Sequence, residues 1–225
     1  MLCFFMAGII TAIEPQKKHP DRVNIYLDGE FAFGLSNVVA VWLHSGQVLG
    51  DEKIASLQQE DEIEGAYQRA LHFLSYRPRS VHEVRDRLGI AGFEPLVIDE
   101  VLLRLEKKGY IGDVQFAQQW IENRATFRPR SHRALRYELR QKGVNEEVIV
   151  DALASAPDEE GQARKAAAKY HTRLQGLDWK TFANRLGGYL GRLGFSYPVI
   201  KPVVLETWQK MHAENSTEII GNIEE

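Results

Sequence analysis

The chain has 225 residues, 44% of them hydrophobic and 26% charged, with a formal net charge of -3. This composition supports a buried core and excludes disorder throughout, and the lack of a positive excess argues against a protein that coats DNA through bulk charge. Cys3 is the sole cysteine, which excludes an intrachain disulfide and a multi-cysteine zinc site and predicts a reducing, cytoplasmic setting.

Met1 to Ile13 is apolar, but it has neither a basic leader nor a small-residue cleavage pattern and is too short to span a bilayer. It reads as the lead-in to a first strand, Ile9 to Glu14. Val23, Ile25 and Leu27 then alternate with polar neighbours, and Asp28-Gly29 precedes Phe31, Phe33 and Leu35. Asp-Gly between such runs predicts a tight type I′ hairpin turn. The result is a small three-stranded meander that needs a helical element to pack on. Ser36 is the expected N-cap of a short helix through Val38, Val39 and Trp42 that ends near Ser45-Gly46, and Asp51 opens a helical stretch beyond it.

From about Glu60 the apolar period becomes 3.6. A helix is predicted from Glu62 to Tyr76, broken by Arg77-Pro78-Arg79 because a proline disfavours helical geometry in its predecessor. Ser80 and Glu83 have capping-box spacing at the head of a second helix carrying Val84 and Leu88. Gly89 and Gly92 end it. Glu94-Pro95 opens a third helix, with Ile98, Val101, Leu102 and Leu105 on one face and Gly109 as its stop.

This three-helix grammar recurs every 51 residues. Leu88, Gly92, Phe93 and Ile98 correspond to Leu139, Gly143, Val144 and Ile149, and again to Leu190, Gly194, Phe195 and Ile200. Arg128-Pro129-Arg130-Ser131 stands in the place of Arg77-Pro78-Arg79-Ser80, whereas the third copy has Trp179-Lys180-Thr181-Phe182 there. Pro202 predicts that the last helix is kinked or starts later than its counterparts. The fold class is therefore mainly α: a tandem array of three three-helix, helix-turn-helix-like repeats, preceded by a small N-terminal β-hairpin or meander. The expected division is 1–50 for the β segment and short helix, 51–112 for a linker helix and the first repeat, 113–157 and 158–210 for the second and third, and 211–225 for a flexible acidic tail. Arrays of this kind build extended binding surfaces more often than active-site clefts.

No phosphate-binding glycine loop, HExxH pair or nucleophile elbow occurs, and the histidines show no metal-ligand spacing. His82 and His132 read as solvent-facing or helix-capping residues, and Gly92, Gly143 and Gly194 as tight interhelical turns. Tyr110, Phe116 and Trp120 read as packing residues between modules. Charge is concentrated locally: between Arg124 and Lys142 the chain carries Arg124, Arg128, Arg130, Arg133, Arg136, Arg140 and Lys142 against Glu138 alone. Arg133, Arg136 and Arg140 share a helical face, which suits an acidic protein surface or a nucleic-acid backbone. Tandem helix-turn-helix units also raise direct DNA binding as a rival. Against it, the third helices begin with Glu94-Pro95 and Asn145-Glu146-Glu147, acids where a recognition helix would meet phosphates.

Several strings resemble the RecX family, bacterial regulators of the RecA recombinase: Ala70 through Ser80 with Glu83 to Leu88, Leu105 to Asp113 with Phe116-Ala117, Glu138 to Val144, and Tyr189 to Phe195. The resemblance covers roughly residues 62 to 208 and is carried by the combination of strings. It implies a cytoplasmic, monomeric, non-enzymatic protein without cofactor or metal. Such a protein would bind the RecA filament on single-stranded DNA, with weak direct contact to DNA, and would limit filament growth, ATP hydrolysis and strand exchange in recombinational repair and the SOS response. From charge placement, the expected partner-binding residues are Arg77, Arg79, Arg128, Arg130, Arg133, Arg136 and Arg140. A tandem helix-turn-helix protein that binds DNA directly is the alternative, and a helical scaffold for some other partner is a third.

Overall fold

The computed structural model describes the backbone of residues 7–221 and the side chains of residues 7–213. Four strands, β1 (Gly8–Pro15), β2 (Arg22–Leu27), β3 (Glu30–Ser36) and β4 (Val48–Leu49), form one antiparallel sheet in the order β3-β2-β1-β4. The β2–β3 turn has Asp28 at φ 49° and Gly29 at φ 89°, positive at both central residues as a type I′ hairpin requires. β4 extends the expected meander by pairing Val48 and Leu49 with Ile9 and Gly8. The short helix α1 (Asn37–Ala40) follows Ser36, whose side chain makes no cap hydrogen bond, and Trp42 lies beyond it, 86% exposed.

The stretch opened by Asp51 and the first helix of the repeat are one helix, α2 (Asp51–Leu74). No proline interrupts it, and Asp51 and Glu52 in its first turn complement the helix dipole. Its first half belongs to the sheet: Ile54 and Leu57 join the core of Ile10, Ile25, Leu35 and Leu49. Asp61 accepts a hydrogen bond from the Ser36 amide at 2.6 Å and pairs with the Arg22 guanidinium at 2.7 Å. The second half buries Ala66, Tyr67 and Ala70. There the buried Glu64 accepts from Arg104 at 2.8 Å, and the Arg104 guanidinium lies 3.9 Å from the centre of the Tyr67 ring. Helices α3 (Val81–Ile90) and α4 (Pro95–Lys107) complete the first repeat, with Val84, Leu88, Val101 and Leu105 fully buried.

The second repeat comprises α5 (Asp113–Phe127), α6 (His132–Gln141) and α7 (Glu146–Ala154) around Phe116, Leu135, Leu139 and Ile149. The third comprises α8 (Glu159–Tyr170), α9 (Trp179–Arg192) and α10 (Tyr197–Gly221), with a 3-10 turn at His171–Leu174, around Phe182, Leu186, Leu190 and Val203. Phe116 is buried and Trp120 half-buried, but both pack in the second repeat's own core instead of between modules, and Tyr110 is 55% exposed.

The third helices begin at Pro95, Glu146 and Tyr197, in strict 51-residue register. α10 therefore starts no later than its counterparts and continues through Pro202, whose missing amide removes a single bond, to the carbonyl of Pro198. The expected acidic tail begins within α10, which is helical to Gly221, and its last residues, 222–225, lie outside the described residues.

By packing, the chain divides into two compact units, Met1–Arg79 with Glu83–Ile111, and Ser80–His82 with Gly112–Glu225. Within the second unit the serines that close the Arg-Pro-Arg-Ser strings, Ser80 and Ser131, have a structural role. Ser80 is fully buried and its hydroxyl donates to the carbonyl of Lys142 at 2.6 Å. Ser131, 1% exposed, accepts from the Ala134 amide to cap α6, while its own amide donates to the carbonyl of Leu193. Each serine thus meets the glycine turn 63 residues further on, Gly143 for Ser80 and Gly194 for Ser131. In the third repeat the string is absent. Phe182 occupies the serine's position and fills its own repeat's core.

Glu206 on α10 illustrates the surface electrostatics of the third repeat. It accepts from Arg164 and Lys210, each at 2.8 Å. The Lys210 hydrogen bond, then that from Arg164, holds its carboxyl down at about 2. A depressed carboxylate stabilises the fold above its unfolded value and loses that contribution as pH falls through the folded one. The Glu206 contribution is accordingly complete at neutral pH and disappears between about 4.5 and about 2. Carboxyl-carbon NMR titration should place the Glu206 midpoint near 2, and Lys210→Gln should move it upward. A midpoint unmoved by that change would show that the lysine is not its partner.

Candidate partner-binding surface

The seven arginines expected to contact a partner do not form one free surface. Arg79 and Arg130 are 51 positions apart and serve the interior of their own repeats. The Arg79 guanidinium sits 4.0 Å from the centre of the Phe73 ring, its side chain is 15% exposed, and burial, then the neighbouring Arg77, pulls its pKa down against the opposing pull of Glu83. Arg130 lies 3.5 Å from Glu138, the half-buried acid that also receives Arg124 at 2.7 Å and the Trp120 indole at 2.8 Å. Arg133 donates to the carbonyl of Gly194 at 3.3 Å, tying the second repeat to the turn of the third.

Of the remaining four, Arg77, Arg128 and Arg140 are exposed, as Arg133 also is, and Arg136 is half-buried. Arg77 pairs with Glu83 at 2.8 Å. Arg136 and Arg140 converge on one acid, Glu146: the Arg140 Nε donates to Oε2 at 2.6 Å, and the Arg136 Nε lies 2.9 Å from Oε1 as an ion-pair contact without hydrogen-bond alignment. The hydrogen bond to Glu146 raises the Arg140 pKa and lowers that of Glu146. Arg128 is exposed beside the 66%-exposed Phe127 and makes no ion pair among the described residues.

The positive stripe therefore exists, but two of its three arginines, Arg136 and Arg140, are paired with the acid that opens the next helix. Solvent-exposed pairs of this kind are worth about 0–1 kcal/mol, so a partner's carboxylates or phosphates can replace Glu146 at small cost. The same three residues account for the acid at the head of the third helix: Glu146 faces its own arginines.

Sequence reasoning passed over a second set of cations. From Trp179 to Leu205 the chain carries Lys180, Arg185, Arg192 and Lys201 and no acid, and none of the four makes an ion pair among the described residues. The signal was legible as an acid-free run. It was obscured because the loss of Arg-Pro-Arg-Ser made the third repeat look like frame alone. His82 packs against the Gly143 turn, and His132 is bound through its ring to the Pro157 carbonyl at 3.0 Å and through its amide to Glu159 at 2.6 Å. Among the described residues no group of three or more His, Cys, Asp or Glu is placed to hold a metal ion, and no helix is long and apolar enough to cross a membrane.

Comparison with known proteins agrees with this architecture element by element. Residues 8–49 match the regulatory protein RecX N-terminal domain, residues 66–110 the RecX first three-helix domain, and residues 113–153 the RecX second three-helix domain. Regulatory protein RecX of Bacillus subtilis is 37% identical over 195 residues, spanning 85% of this chain and 74% of that protein. Its counterpart in Bacillus pumilus is 30% identical over 94% of this chain and 82% of that protein. A crystal structure of regulatory protein RecX superposes with a TM-score of 0.68 at 28% identity, covering 87% of this chain and 98% of that one, and RecX from Lactobacillus salivarius gives 0.57 at 25% identity, over 66% and 97%. With matching family domains in the sheet and in the first two repeats, and regulatory relatives aligned over most of its length, the chain belongs to the RecX family.

Proposed function

We propose that the chain is a non-enzymatic regulator that binds the RecA filament on single-stranded DNA and mostly inhibits its growth, ATP hydrolysis and strand exchange, acting in the cytoplasm as a monomer in recombinational repair and the SOS response. In this reading 51–112, 113–157 and 158–210 are successive binding modules, and 1–50 and 211–225 flank them. The observation that carries it is the pairing of RecX family membership with four arginines: Arg128, which makes no ion pair among the described residues, and Arg77, Arg136 and Arg140, which are held only by partly exposed ion pairs. Arginine suits carboxylates and phosphates alike through its forked donors. Arg133 contributes by holding the Gly194 turn, and Arg79 and Arg130 by supporting the interior of their own repeats.

A RecA ATPase assay on single-stranded DNA, with this protein titrated below the RecA concentration, tests the proposal. Inhibition at substoichiometric amounts is expected. No inhibition, together with selective binding to naked duplex at a steep salt slope, would favour the direct DNA-binding alternative. Joint reversal of Arg133, Arg136 and Arg140 to glutamate should leave helix content intact and weaken inhibition by tenfold or more, about 1.4 kcal/mol. Glu146→Gln should act in the opposite direction by releasing Arg136 and Arg140. Unchanged inhibition by the triple variant would rule out the stripe as a contact.

A further inference from the structure

Helices α9 and α10 frame an open groove of about 420 Å³ in the third repeat. Gly187 and Gly188 line it, together with Trp179, Tyr197, Lys201 and Leu205. A smaller groove of about 400 Å³ occupies the same place between α6 and α7. Every residue lining that groove has its counterpart 51 positions on in the lining of the larger one. The chemistry has been exchanged: His132 and Arg136 of the second repeat become Ala183 and Gly187 in the third.

The fold does not require the two glycines. Neither has a positive φ. A methyl group on Gly187 would come no nearer than 3.7 Å to Ile200, and one on Gly188 no nearer than 3.7 Å to Arg192, both ordinary contacts. Glycine inside a helix costs about 1 kcal/mol relative to alanine, so the pair destabilises α9 with no packing return. What they produce is an uncovered helix backbone in the lining of an apolar channel. Around it lie Tyr197, 71% exposed, and Leu205, 41% exposed. Lys201 is part of the lining, and Lys180, seven residues before Gly187, lies on the same helical face. No acid lines the groove, and the whole run from Trp179 to Leu205 is acid-free.

We propose that the α9–α10 groove is a docking site for an acidic protein segment that seats an apolar side chain against Gly187 and places carboxylates beside Lys180 and Lys201. This rests on the RecA reading above, under which the segment belongs to RecA in the filament. A nucleic-acid strand fits the groove less well. The Trp179 ring is already stacked on Phe182 and met edge-on by Trp208, so it is engaged in the repeat's own aromatic cluster although 41% exposed. The cations named on the groove, Lys180 and Lys201, are lysines, which lack the forked donors that grip phosphate bidentately, and the Arg192 guanidinium lies near Gly188 only at the edge of contact, 3.7 Å from where a methyl would stand. An apolar anchor in a pocket flanked by charge is the arrangement of an interface hot spot.

The test measures equilibrium binding of the full-length protein to RecA filaments assembled on single-stranded DNA and, in parallel, to the naked oligonucleotide. Gly187→Leu fills the groove, Leu205→Glu places an acid in its apolar lining, and Lys201→Glu reverses the charge there. Each variant should weaken filament binding about tenfold while leaving oligonucleotide binding and the thermal melting of the helices unchanged. Leu205 and Lys201 are exposed, so those two variants stay informative if Gly187→Leu perturbs α9. Wild-type affinity for filaments in all three variants overturns the groove proposal alone, and so does a loss confined to the naked oligonucleotide. A wild-type protein that fails to bind filaments overturns the RecA reading and the groove proposal together.

Discussion

Gly143→Ala is expected to destabilise the protein by about 2–5 kcal/mol, and Gly92→Ala by only about 1–2 kcal/mol, although the two glycines occupy equivalent turns. Both have positive φ, 72° and 89°, so any side chain costs about 1–2 kcal/mol at either position. They differ in what lies outside the turn. A methyl group on Gly143 would collide with the Cβ and ring of His82, whereas one on Gly92 would meet nothing within 4 Å. Atoms so close to the His82 backbone cannot swing aside, and overpacking of this kind adds about 1–3 kcal/mol. Gly194→Ala should behave like Gly143→Ala, because its added methyl would lie 2.5 Å from the Ser131 hydroxyl and 2.8 Å from Ala134. Urea unfolding of the three variants decides the matter: equal losses at all three positions would mean that the close contacts relax freely.

Glu138→Ala should cost about 2–3 kcal/mol, the largest effect expected from any single ion-pair residue here. Its carboxylate accepts from Arg124 and the Trp120 indole and faces Arg130 at 3.5 Å, and all three ionised side chains are at least two-thirds buried. Removing it leaves the Arg124 guanidinium and the Trp120 indole N–H without their acceptor, and Arg130 without its ion-pair partner, in a partly dry setting. Glu138→Gln keeps an acceptor for the indole and should recover part of the loss. A thermal midpoint for Glu138→Ala within a degree or two of wild type would show that water replaces the carboxylate without penalty.

The repeat was fully legible in the sequence because its apolar positions are set by packing inside each module, and packing reads directly as periodicity. Leu88, Leu139 and Leu190 are all fully buried. The hairpin was legible for the same kind of reason, since Asp28-Gly29 has few conformations open to it. β4 was not, because two residues cannot display an alternating pattern. The candidate surface was read only in outline. Helical spacing puts Arg133, Arg136 and Arg140 on one face, but it does not say that Glu146, in the next helix, turns back to Arg136 and Arg140. Nor does it say that Arg79 lies flat on Phe73 while Arg128 stands free. Such partners come from tertiary contacts between residues whose sequence neighbourhoods look alike. The α9–α10 groove escaped notice because helix glycines carry no periodic signal. Only comparison with Arg136 and Tyr137 in the same register shows that large side chains have been withdrawn there.

The undivided α2 also changes how the sheet relates to the first repeat. The family domains stop at residue 49 and resume at residue 66, an interval that on paper resembles a tether. In the folded chain it is helical throughout, and at 1.5 Å per residue α2 is a rod of about 36 Å whose two halves are built into different cores. The sheet and the first repeat therefore share one continuous helix, which buries Ile54 and Leu57 in the sheet's core and Ala66 and Ala70 in the repeat's. Removing the sheet would strip Ile54 and Leu57 of their cover and leave half of a helix with nothing to pack on.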